Sequence, residues 1–336
     1  MHYMDLLGLT EEQRRAAEAA LACPPESALD EAGHVRPVAA LAEILRGVPA
    51  LAARYEALRI PQQVLRDTLS DVPIWMNTCK RLTGTWGLLE YGWLSHHVAG
   101  RLFRLGRLQF MPQPSQVPAL AYGRPGGEVA TLAQTGHRYT ATGEADGCNG
   151  ICDPQAWTAT YHEDAREISG DRITPEGKAL RERTVLRKDE GWTCLLKPGD
   201  PVLDVHIPEG SPLTPVEVSA SFAQAPAFFR EHLHMQAVRA FTCESWLLDW
   251  ALPHILPGGN VAAFGQRFYR VPHVGSDAQT MERVYGVEAS RPVLTAQSSR
   301  LQRGVYAWYE KGERCRDAYG YIPLDAQGHA RYCMGD

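Results

Sequence analysis

The chain has 336 residues, of which 44% are hydrophobic and 22% are charged, and its formal net charge is −5. This composition is typical of a globular protein, and the length is enough for two domains of ordinary size. The acidic balance and the lack of a Lys/Arg run exclude a nucleic-acid partner held through its phosphates, and no stretch is long and apolar enough to predict a membrane span.

The N-terminal sequence and the spacing of the cysteines indicate the cellular location of the protein. The first residues, MHYMDLLGLTEEQRR, carry acids where a secretory signal has a basic start and an apolar core. The eight cysteines are scattered, with no C-x-x-C pair, which favours free thiols over a zinc site or a disulfide framework. We therefore expect a cytoplasmic protein without a metal.

Residues 1–70 are predicted to be helical. Thr10 and Gln13 have the spacing of a capping box ahead of an alanine-rich amphipathic stretch. Three further short helices, separated by glycine and proline, are expected after it. They cover residues 38–45, 51–58 and 62–69. This segment shows no catalytic pattern and is interpreted as a helical cap.

Residues 71–153 are predicted to be mixed. The aromatic-rich part of 71–111 indicates a buried helix that ends near Gly100, followed by one strand in RLFRLGRLQFM. Adjacent side chains on a helix point in different directions, so His96 and His97 are not expected to share a metal and are assigned to the surface or a helix cap. Residues 112–153 are rich in Pro, Gly and polar residues and predict loops and short strands.

The second half of the chain is centred on a predicted strand–helix–strand unit. An antiparallel meander over 156–199 leads into it. Strands are expected at 202–207 and 238–247, joined by a helix at 215–231. Thr214 is the predicted N-cap, Pro215 the first helical residue and Glu217 the third member of a capping box. Such a unit places two strand ends and a helix N-terminus at one crevice, where open α/β sheets bind ligands.

Shorter elements are predicted to follow this unit. A helix and then a strand are expected over 260–271, helices over 277–285 and 298–310, and a final edge strand over 316–324.

Six segments resemble a bacterial family of acyltransferases with an N-terminal N-acyltransferase domain and a GNAT-like C-terminal domain. They occur in the family's order between about Ile74 and Leu324. The segments are LGRLQF (105–110), LDVHIPEGSPLTP (203–215), CESWLLD (243–249), NVAAFGQRF (260–268), SSRLQRG (298–304) and RDAYGYIPL (316–324).

The resemblance implies an α+β fold and two domains. The first, 1–153, would be helical over 1–70 and mixed over 71–153. The second, 154–336, would be a GNAT-like mixed α/β domain with a central twisted sheet. The implied activity is acyl transfer from a CoA or carrier-protein thioester to an amine acceptor, without a tightly bound cofactor.

In the GNAT fold the pyrophosphate of CoA meets a helix N-terminus after a glycine-rich loop with a basic or Gln lead residue. The matching loop here, 208–213, has one glycine, one acid and no Arg or Lys. The predicted cradle consists of Gly210, Ser211, Thr214, Val216 and Glu217. Because the loop is poor in positive charge, free acyl-CoA is expected to bind weakly, and acyl-phosphopantetheine on an acyl carrier protein is the alternative donor.

His206 is the predicted general base, because it lies at the end of a strand beside the crevice and histidine titrates near neutral pH. Asp204, two residues earlier and on the same face, would orient the imidazole. The alternative is a half-buried histidine that only hydrogen-bonds the next strand. Glu209 could act through a water, but a solvated loop acid is the favoured interpretation.

The strand at 238–247 carries further candidates. Glu244 stands where the family often has a histidine; a buried glutamate there would need a partner, such as His206, or would itself be the base. Ser245 is a candidate donor to the thioester oxygen. Cys243 could be a covalent nucleophile, although a small buried apolar residue is the favoured interpretation.

Three residues are candidates for substrate binding. Trp246 is a pocket wall or a core residue, Asn260 matches the fourth segment, and Arg267 could bind a carboxylate or phosphate, with a structural ion pair as the favoured alternative. Three functions stay open: a GNAT-like acyltransferase, a non-catalytic ligand-binding protein of the same fold, and covalent acyl transfer or hydrolysis through Cys243.

Overall fold

The computed structural model describes residues 3–286 and 291–333. In this part of the chain the helices are α1 Glu11–Ala22, α2 Pro37–Ala57, α3 Gln62–Leu69, α4 Asp71–Thr83, α5 Tyr91–Val98, α6 Pro215–Leu233, α7 Leu252–Ile255, α8 Asn260–Gln266, α9 Ala278–Tyr285 and α10 Arg300–Glu310. The strands are β1 Phe103–Leu105, β2 Leu108–Pro114, β3 Ala119–Gly123, β4 Val129–Ala133, β5 Arg138–Tyr139, β6 Trp157–Thr158, β7 Tyr161–Glu163, β8 Glu167–Ile173, β9 Ala179–Arg187, β10 Thr193–Leu196, β11 Pro201–His206, β12 Ala240–Ser245, β13 Tyr269–Val271 and β14 Ala318–Pro323. This mixture confirms the predicted α+β class.

The chain divides into two compact units, each built from several segments. The first unit comprises Met1–Pro112, His206–Ser211 and Glu217–Gln236. The second comprises Gln113–Val205, Pro212–Val216 and Ala237–Asp336. The domain boundary expected at 153–154 stays a prediction.

The predicted capping box starts α1 in the first unit. The Gln13 N–H donates to Thr10 Oγ1 at 3.3 Å, and the Thr10 N–H donates to Gln13 Oε1 at 3.0 Å. The Gln13 side chain is buried, and its amide donates to Asn77 Oδ1 at 2.9 Å. The same side chain therefore both caps α1 and ties it to α4.

The prediction of separate helices over 38–45 and 51–58 is wrong, because α2 covers both segments. Pro49 lies inside α2, where proline removes one backbone N–H and crowds the carbonyl four residues earlier. The helix nevertheless buries an apolar stripe that includes Leu41 and Val48. Tertiary packing of this stripe outweighs the local effect of the proline.

The helix predicted to end near Gly100 is α5, and a further helix, α4, precedes it. The prediction of a single strand is wrong, because the segment forms a hairpin of β1 and β2. The hairpin turns at Gly106, whose φ of 66° lies in the region that favours glycine. Leu105 pairs with Leu108 across the turn. The apolar pattern that suggests one long strand therefore belongs to two short strands.

The predicted strand–helix–strand unit is confirmed. β11 and β12 are parallel neighbours, with Asp204 opposite Thr242, and α6 connects them. β14 is antiparallel to β12 on one side and to β13 on the other, so the prediction of an edge strand is wrong. Its Tyr321 is fully buried and stacks on Tyr269 of β13, as a residue of an inner strand can.

The meander predicted over 156–199 is confirmed only for β7, β8 and β9, which pair antiparallel in chain order. β10 pairs with β3 of the same antiparallel sheet, in which β3 pairs with β4 and β4 with β8, and β6 pairs with β5 in a separate sheet. Thr131 of β4 and Tyr321 of β14 share a hydrogen bond of 2.5 Å between their hydroxyls. A buried apolar cluster, which includes Ala119, Val202 and Ala240, lies between the sheets. This cluster therefore joins the two sheets of the second unit. No helix of the described residues is long and apolar enough to cross a bilayer.

Candidate active site

His206 is the last residue of β11, and its ring lies against the indole of Trp93 from α5. The ring centroids are 4.7 Å apart, with an interplanar angle of 61°. His206 is half-buried. The indole therefore packs against one side of the ring, and Nε2 of His206 is buried. The role of His206 as the general base stays a prediction.

Trp93 is anchored by a buried polar network that sequence reasoning missed. Its ring also contacts His97, with 5.4 Å between centroids. His97 Nε2 lies 3.0 Å from Asp71 Oδ2, which accepts the Gln109 side-chain N–H at 2.8 Å. His97 is fully buried. The expectation that it lies at the surface or caps a helix is therefore wrong, since α5 turns this side chain towards the core.

The partners of Asp71 keep its carboxyl ionised, although Asp71 Oδ1 and Gln109 Oε1 are buried without a hydrogen-bond partner among the described residues. Burial alone raises the pKa of the Asp71 carboxyl, but the hydrogen bond and charge of His97, together with Gln109 and Arg104, outweigh burial and lower that pKa. The carboxyl is thus ionised at neutral pH. A buried carboxylate is tolerated only with such partners, so the network gives Trp93 a fixed support.

A basic side chain supports the predicted phosphate loop, although the loop itself contains none. Arg107, at the tip of the β1–β2 hairpin, donates from Nε to the Ser211 carbonyl at 2.8 Å. Its Nη1 donates to the Pro208 carbonyl at 2.9 Å, and its backbone N–H donates to Ser221 Oγ of α6 at 2.9 Å. Burial lowers the pKa of this guanidinium, but arginine titrates so far above neutrality that it stays charged.

The predicted cradle residues lie on accessible backbone. Gly210 has a φ of 132°, a conformation that favours glycine, and Ser211 is exposed. Val216 is 79% exposed, Glu217 is exposed and Thr214 is half-buried. The first turn of a helix carries N–H groups that no carbonyl of the same helix accepts and a partial positive charge. An anion-binding role for the loop and the start of α6 stays a prediction, since this segment also carries the exposed acids Glu209 and Glu217.

Asp204, in the second unit, is buried, and its Oδ1 accepts the Thr242 hydroxyl at 2.7 Å. Its predicted role in orienting His206 stays a prediction.

Glu244 forms a three-residue cluster in the second unit. The expectation that it is buried is wrong, since its side chain is 42% exposed. His273 Nε2 lies 3.8 Å from Glu244 Oε1 and 3.8 Å from Asp317 Oδ1. Burial and a hydrogen bond to Glu244 raise the pKa of Tyr319. The donor atoms of Glu244, His273 and Asp317 lie within 4.8 Å of one another, a spacing compatible with a shared cation; the expectation of no metal stays a prediction.

Cys243 and Ser245, the neighbours of Glu244 on β12, point into the protein. Cys243 is completely buried, and desolvation raises its pKa well above the usual value, with the charges of Asp204 and Glu244 adding to the effect. A nucleophilic thiolate is disfavoured in this environment. Ser245 Oγ accepts the Leu247 N–H at 3.1 Å and caps a short 3-10 turn.

The predicted substrate-binding residues differ in their surroundings. Trp246 is half-buried beside an apolar cluster around Met281. Asn260 is exposed at the start of α8. Arg267 is buried, donates to the Pro215 carbonyl at 3.3 Å and lies over the ring of Tyr332 at 5.1 Å.

Comparison with known proteins assigns the family. Residues 102–322 match the GNAT-like C-terminal domain, and residues 2–100 match the N-acyltransferase N-terminal domain. The chain belongs to this acyltransferase family. A search of curated proteins gives no match.

Solved acyltransferase structures share the fold. An acyltransferase mutant in complex with octanoyl-CoA is 19% identical, with a TM-score of 0.58, over 93% of this chain and 77% of that one. An acyltransferase in complex with decanoyl-CoA and teicoplanin is 21% identical, with a TM-score of 0.56 and the same coverage. At this level of identity the likeness shows a shared GNAT-like fold, which agrees with the family and with the fold expected from the six sequence segments.

Proposed function

We propose that the protein transfers an acyl group from the thioester of acyl-CoA to the amino group of a small-molecule acceptor. The observation that carries the proposal is the arrangement in the first unit, where His206 at a strand end is followed by an accessible loop that Arg107 holds. The loop and the N-terminus of α6 suit the pyrophosphate of CoA. The complexes of similar folds with octanoyl-CoA and decanoyl-CoA support this donor and point to acyl chains of medium length.

In the proposed reaction the acceptor nitrogen attacks the thioester carbonyl carbon. The C–N bond forms, the C–S bond breaks, and the CoA sulfur leaves as a thiolate that takes up the proton accepted by His206 and ends as a thiol. His206 accepts the proton that the attacking nitrogen loses, Asp204 orients the imidazole, and Ser245 donates to the carbonyl oxygen as negative charge develops there. Glu244 is the second candidate for the base.

The remaining residues predicted from the sequence are assigned to a donor site and an acceptor site. Gly210, Ser211, Thr214, Val216 and Glu217 would hold the phosphates, and Trp246, Asn260 and Arg267 would contact the acceptor. The sequence favoured acyl-phosphopantetheine on a carrier protein because the loop lacks a basic residue; Arg107 removes that reason, so we propose acyl-CoA as the first donor to test. The complex of a similar fold with teicoplanin supports an amine-bearing small molecule as the acceptor.

The function is tested by thiol release. The purified protein is incubated with CoA thioesters from two to twelve carbons, with and without a panel of primary amines, and free thiol and acylated amine are measured together. Release that depends on the amine and yields the amide supports the proposal. Tight binding of acyl-CoA without turnover would instead indicate a binding protein, and release without an amine would indicate a hydrolase.

Replacing Arg107 by methionine is expected to weaken CoA binding about tenfold or more, because the loop loses two charge-assisted hydrogen bonds and a nearby positive charge. Calorimetric titration with CoA measures the effect. Arg66→Met, which removes an exposed arginine from α3, is the control of equal charge change. Unchanged affinity in the Arg107 variant would exclude this loop as the phosphate site.

Replacing Cys243 by alanine is expected to leave turnover within about threefold of the wild type, because a buried thiol of raised pKa is a poor nucleophile. Steady-state turnover and mass spectrometry of the protein after incubation with acyl-CoA measure the effect. An acyl adduct on the wild type that disappears in Cys243→Ala, together with loss of turnover, would instead establish the covalent route.

A further inference from the structure

Three side chains that can ligate a metal converge on one face of the sheet in the second unit. Glu244 lies on β12, Asp317 directly precedes β14, and His273 follows the end of β13 by two residues. β14 lies between the other two strands, and its Tyr319 is opposite both Glu244 and Val271. Since residues two apart on a strand share a face, Asp317 and His273 lie on the same side of the sheet as Glu244.

The imidazole of His273 lies between the two carboxylates and is bonded to neither. Its Nε2 is 3.8 Å from Glu244 Oε1 and 3.8 Å from Asp317 Oδ1, which is beyond hydrogen-bond reach. This nitrogen is buried and has no hydrogen-bond partner within residues 3–286 and 291–333. The ring packs on Tyr319, with 4.7 Å between the centroids. Buried polar atoms are almost always paired, so Nε2 is available to a ligand that lies between the carboxylates.

The two carboxylates have no arginine or lysine as a partner. No Lys or Arg nitrogen of the described residues lies within 4.0 Å of Glu244 or Asp317, and the positions outside the described ranges hold neither residue type. Arg316, the chain neighbour of Asp317, instead pairs with Glu144 at 2.7 Å. The ligand atoms of the cluster lie within 4.8 Å of one another. Two negative charges at this separation repel, and a cation between them removes the repulsion.

Neighbouring groups fix the orientation of both carboxylates. The Ser276 N–H donates to Asp317 Oδ1 at 2.9 Å, and Gln279 Nε2 donates to Asp317 Oδ2 at 3.5 Å. A hydrogen bond joins Tyr319 to Glu244. Carboxylates that ligate metals are held by outer contacts of this kind, so both carboxylates have the support that ligation requires.

Gly275 provides the space in which the Asp317 carboxylate lies. A Cβ added at Gly275 would overlap Asp317 Oδ1. The backbone of Gly275 does not itself require glycine, because its φ lies outside the left-handed region. The missing side chain at this position therefore serves the placement of Asp317 beside His273.

We propose that Glu244, His273 and Asp317 bind one divalent transition-metal cation of the Zn²⁺ type. Ligand atoms of one Zn²⁺ lie roughly 3–4 Å apart, since the metal–ligand distances are about 2.0–2.2 Å. The three donor atoms, within 4.8 Å of one another, reach this spacing by small side-chain movements. One imidazole nitrogen with two carboxylate oxygens suits such an ion better than Mg²⁺ or Ca²⁺, which take oxygen ligands. The proposal departs from the sequence expectation of no metal and does not rest on the proposed acyl transfer.

The test is a calorimetric titration of the chelator-treated protein with ZnCl₂ in the absence of acyl-CoA. Exposed thiols also bind Zn²⁺, so the parent protein for all measurements carries Cys23→Ser and Cys152→Ser, which remove the two exposed cysteines. One Zn²⁺ per chain is expected at the cluster. MgCl₂ should bind at least about a hundredfold more weakly.

Loss of any one ligand is expected to weaken Zn²⁺ binding at least about tenfold, because even the loss of an outer contact weakens metal binding about 10–100-fold. The ligand variants are Glu244→Gln, His273→Gln and Asp317→Asn. The asparagine keeps an oxygen that can accept the Ser276 N–H. Gly275→Ala removes no charge and no ligand, but it displaces the Asp317 carboxylate, so it should weaken binding by a similar factor.

Two controls remove the same chemical groups from exposed positions. His162→Gln and Asp189→Asn should bind Zn²⁺ as the parent does. Saturating Zn²⁺ should raise the melting temperature of the parent by ~3 °C or more and leave that of Asp317→Asn unchanged. Glu244→Gln, at a side chain that is 42% exposed, decides the matter if the other variants do not fold. Equal Zn²⁺ affinity of the parent and Glu244→Gln, or no Zn²⁺ binding by the parent, would overturn the proposal, and equal affinity for Mg²⁺ would overturn the assignment to a transition metal.

Discussion

Replacing His206 by alanine is expected to lower turnover by about 10²–10⁴-fold, the range that a positioned general base contributes. The fold should be retained, because His206 is half-buried and its ring contributes one face-to-edge contact with Trp93. Amine-dependent thiol release and the melting temperature, measured on the same preparation, separate loss of chemistry from loss of structure.

Two further variants make the His206 prediction specific. His206→Gln keeps a hydrogen-bonding side chain but loses the base, so its turnover should be nearly as poor as that of the alanine variant. His34→Gln, at a side chain that is 81% exposed, should behave as wild type. If glutamine restores turnover and alanine mainly lowers the melting temperature, the role of His206 is structural. A stable, active His206→Ala protein would remove it from the mechanism and leave Glu244 as the base.

The central part of the fold could be predicted because its signals are local. Pro215 at the first position of α6 and the helical spacing of apolar residues place that helix to within a few residues, and β-branched residues between prolines mark β11. The errors occurred where tertiary contacts override local pattern. Pro49 does not interrupt α2, and Gly106 turns one apparent strand into two.

Only part of the candidate site could be predicted from the sequence, because the other part also depends on tertiary contacts. His206 could be named because it follows a strand within a segment that resembles the acyltransferase family. Arg107 could not be assigned to the phosphate loop, because it is distant in sequence and reaches the loop only through the β1–β2 hairpin. The Asp71–His97–Gln109 network likewise joins three separate elements. His97 stands out in the sequence, but nothing local pairs it with Asp71 and Gln109.

Replacing Asp71 by alanine is expected to reduce the free energy of unfolding by ~3–5 kcal/mol, the range measured when one partner of a buried charged pair is removed. Asp71 is 3% exposed, and its Oδ2 is the partner of His97 Nε2 and the acceptor of the Gln109 N–H. Asp71→Asn keeps one oxygen for these contacts and should lose only ~1–2 kcal/mol. Asp189→Ala, at an exposed position, is the control.

The pH dependence of stability gives the Asp71 prediction its sharpest form. The folded-state pKa of Asp71 lies below the ordinary value of 3.8, so the unfolded chain binds its proton first as the pH falls. The stabilisation from the ionised carboxylate is therefore complete above about pH 5 and is lost progressively as the pH falls through 3.8 and then through the folded-state pKa. Denaturant unfolding from pH 7 to pH 3 should show wild type and Asp71→Asn converging in stability as the pH falls. A constant difference between them would mean that Asp71 acts through shape and hydrogen bonding alone, and that its charge does not hold the support of Trp93 in place.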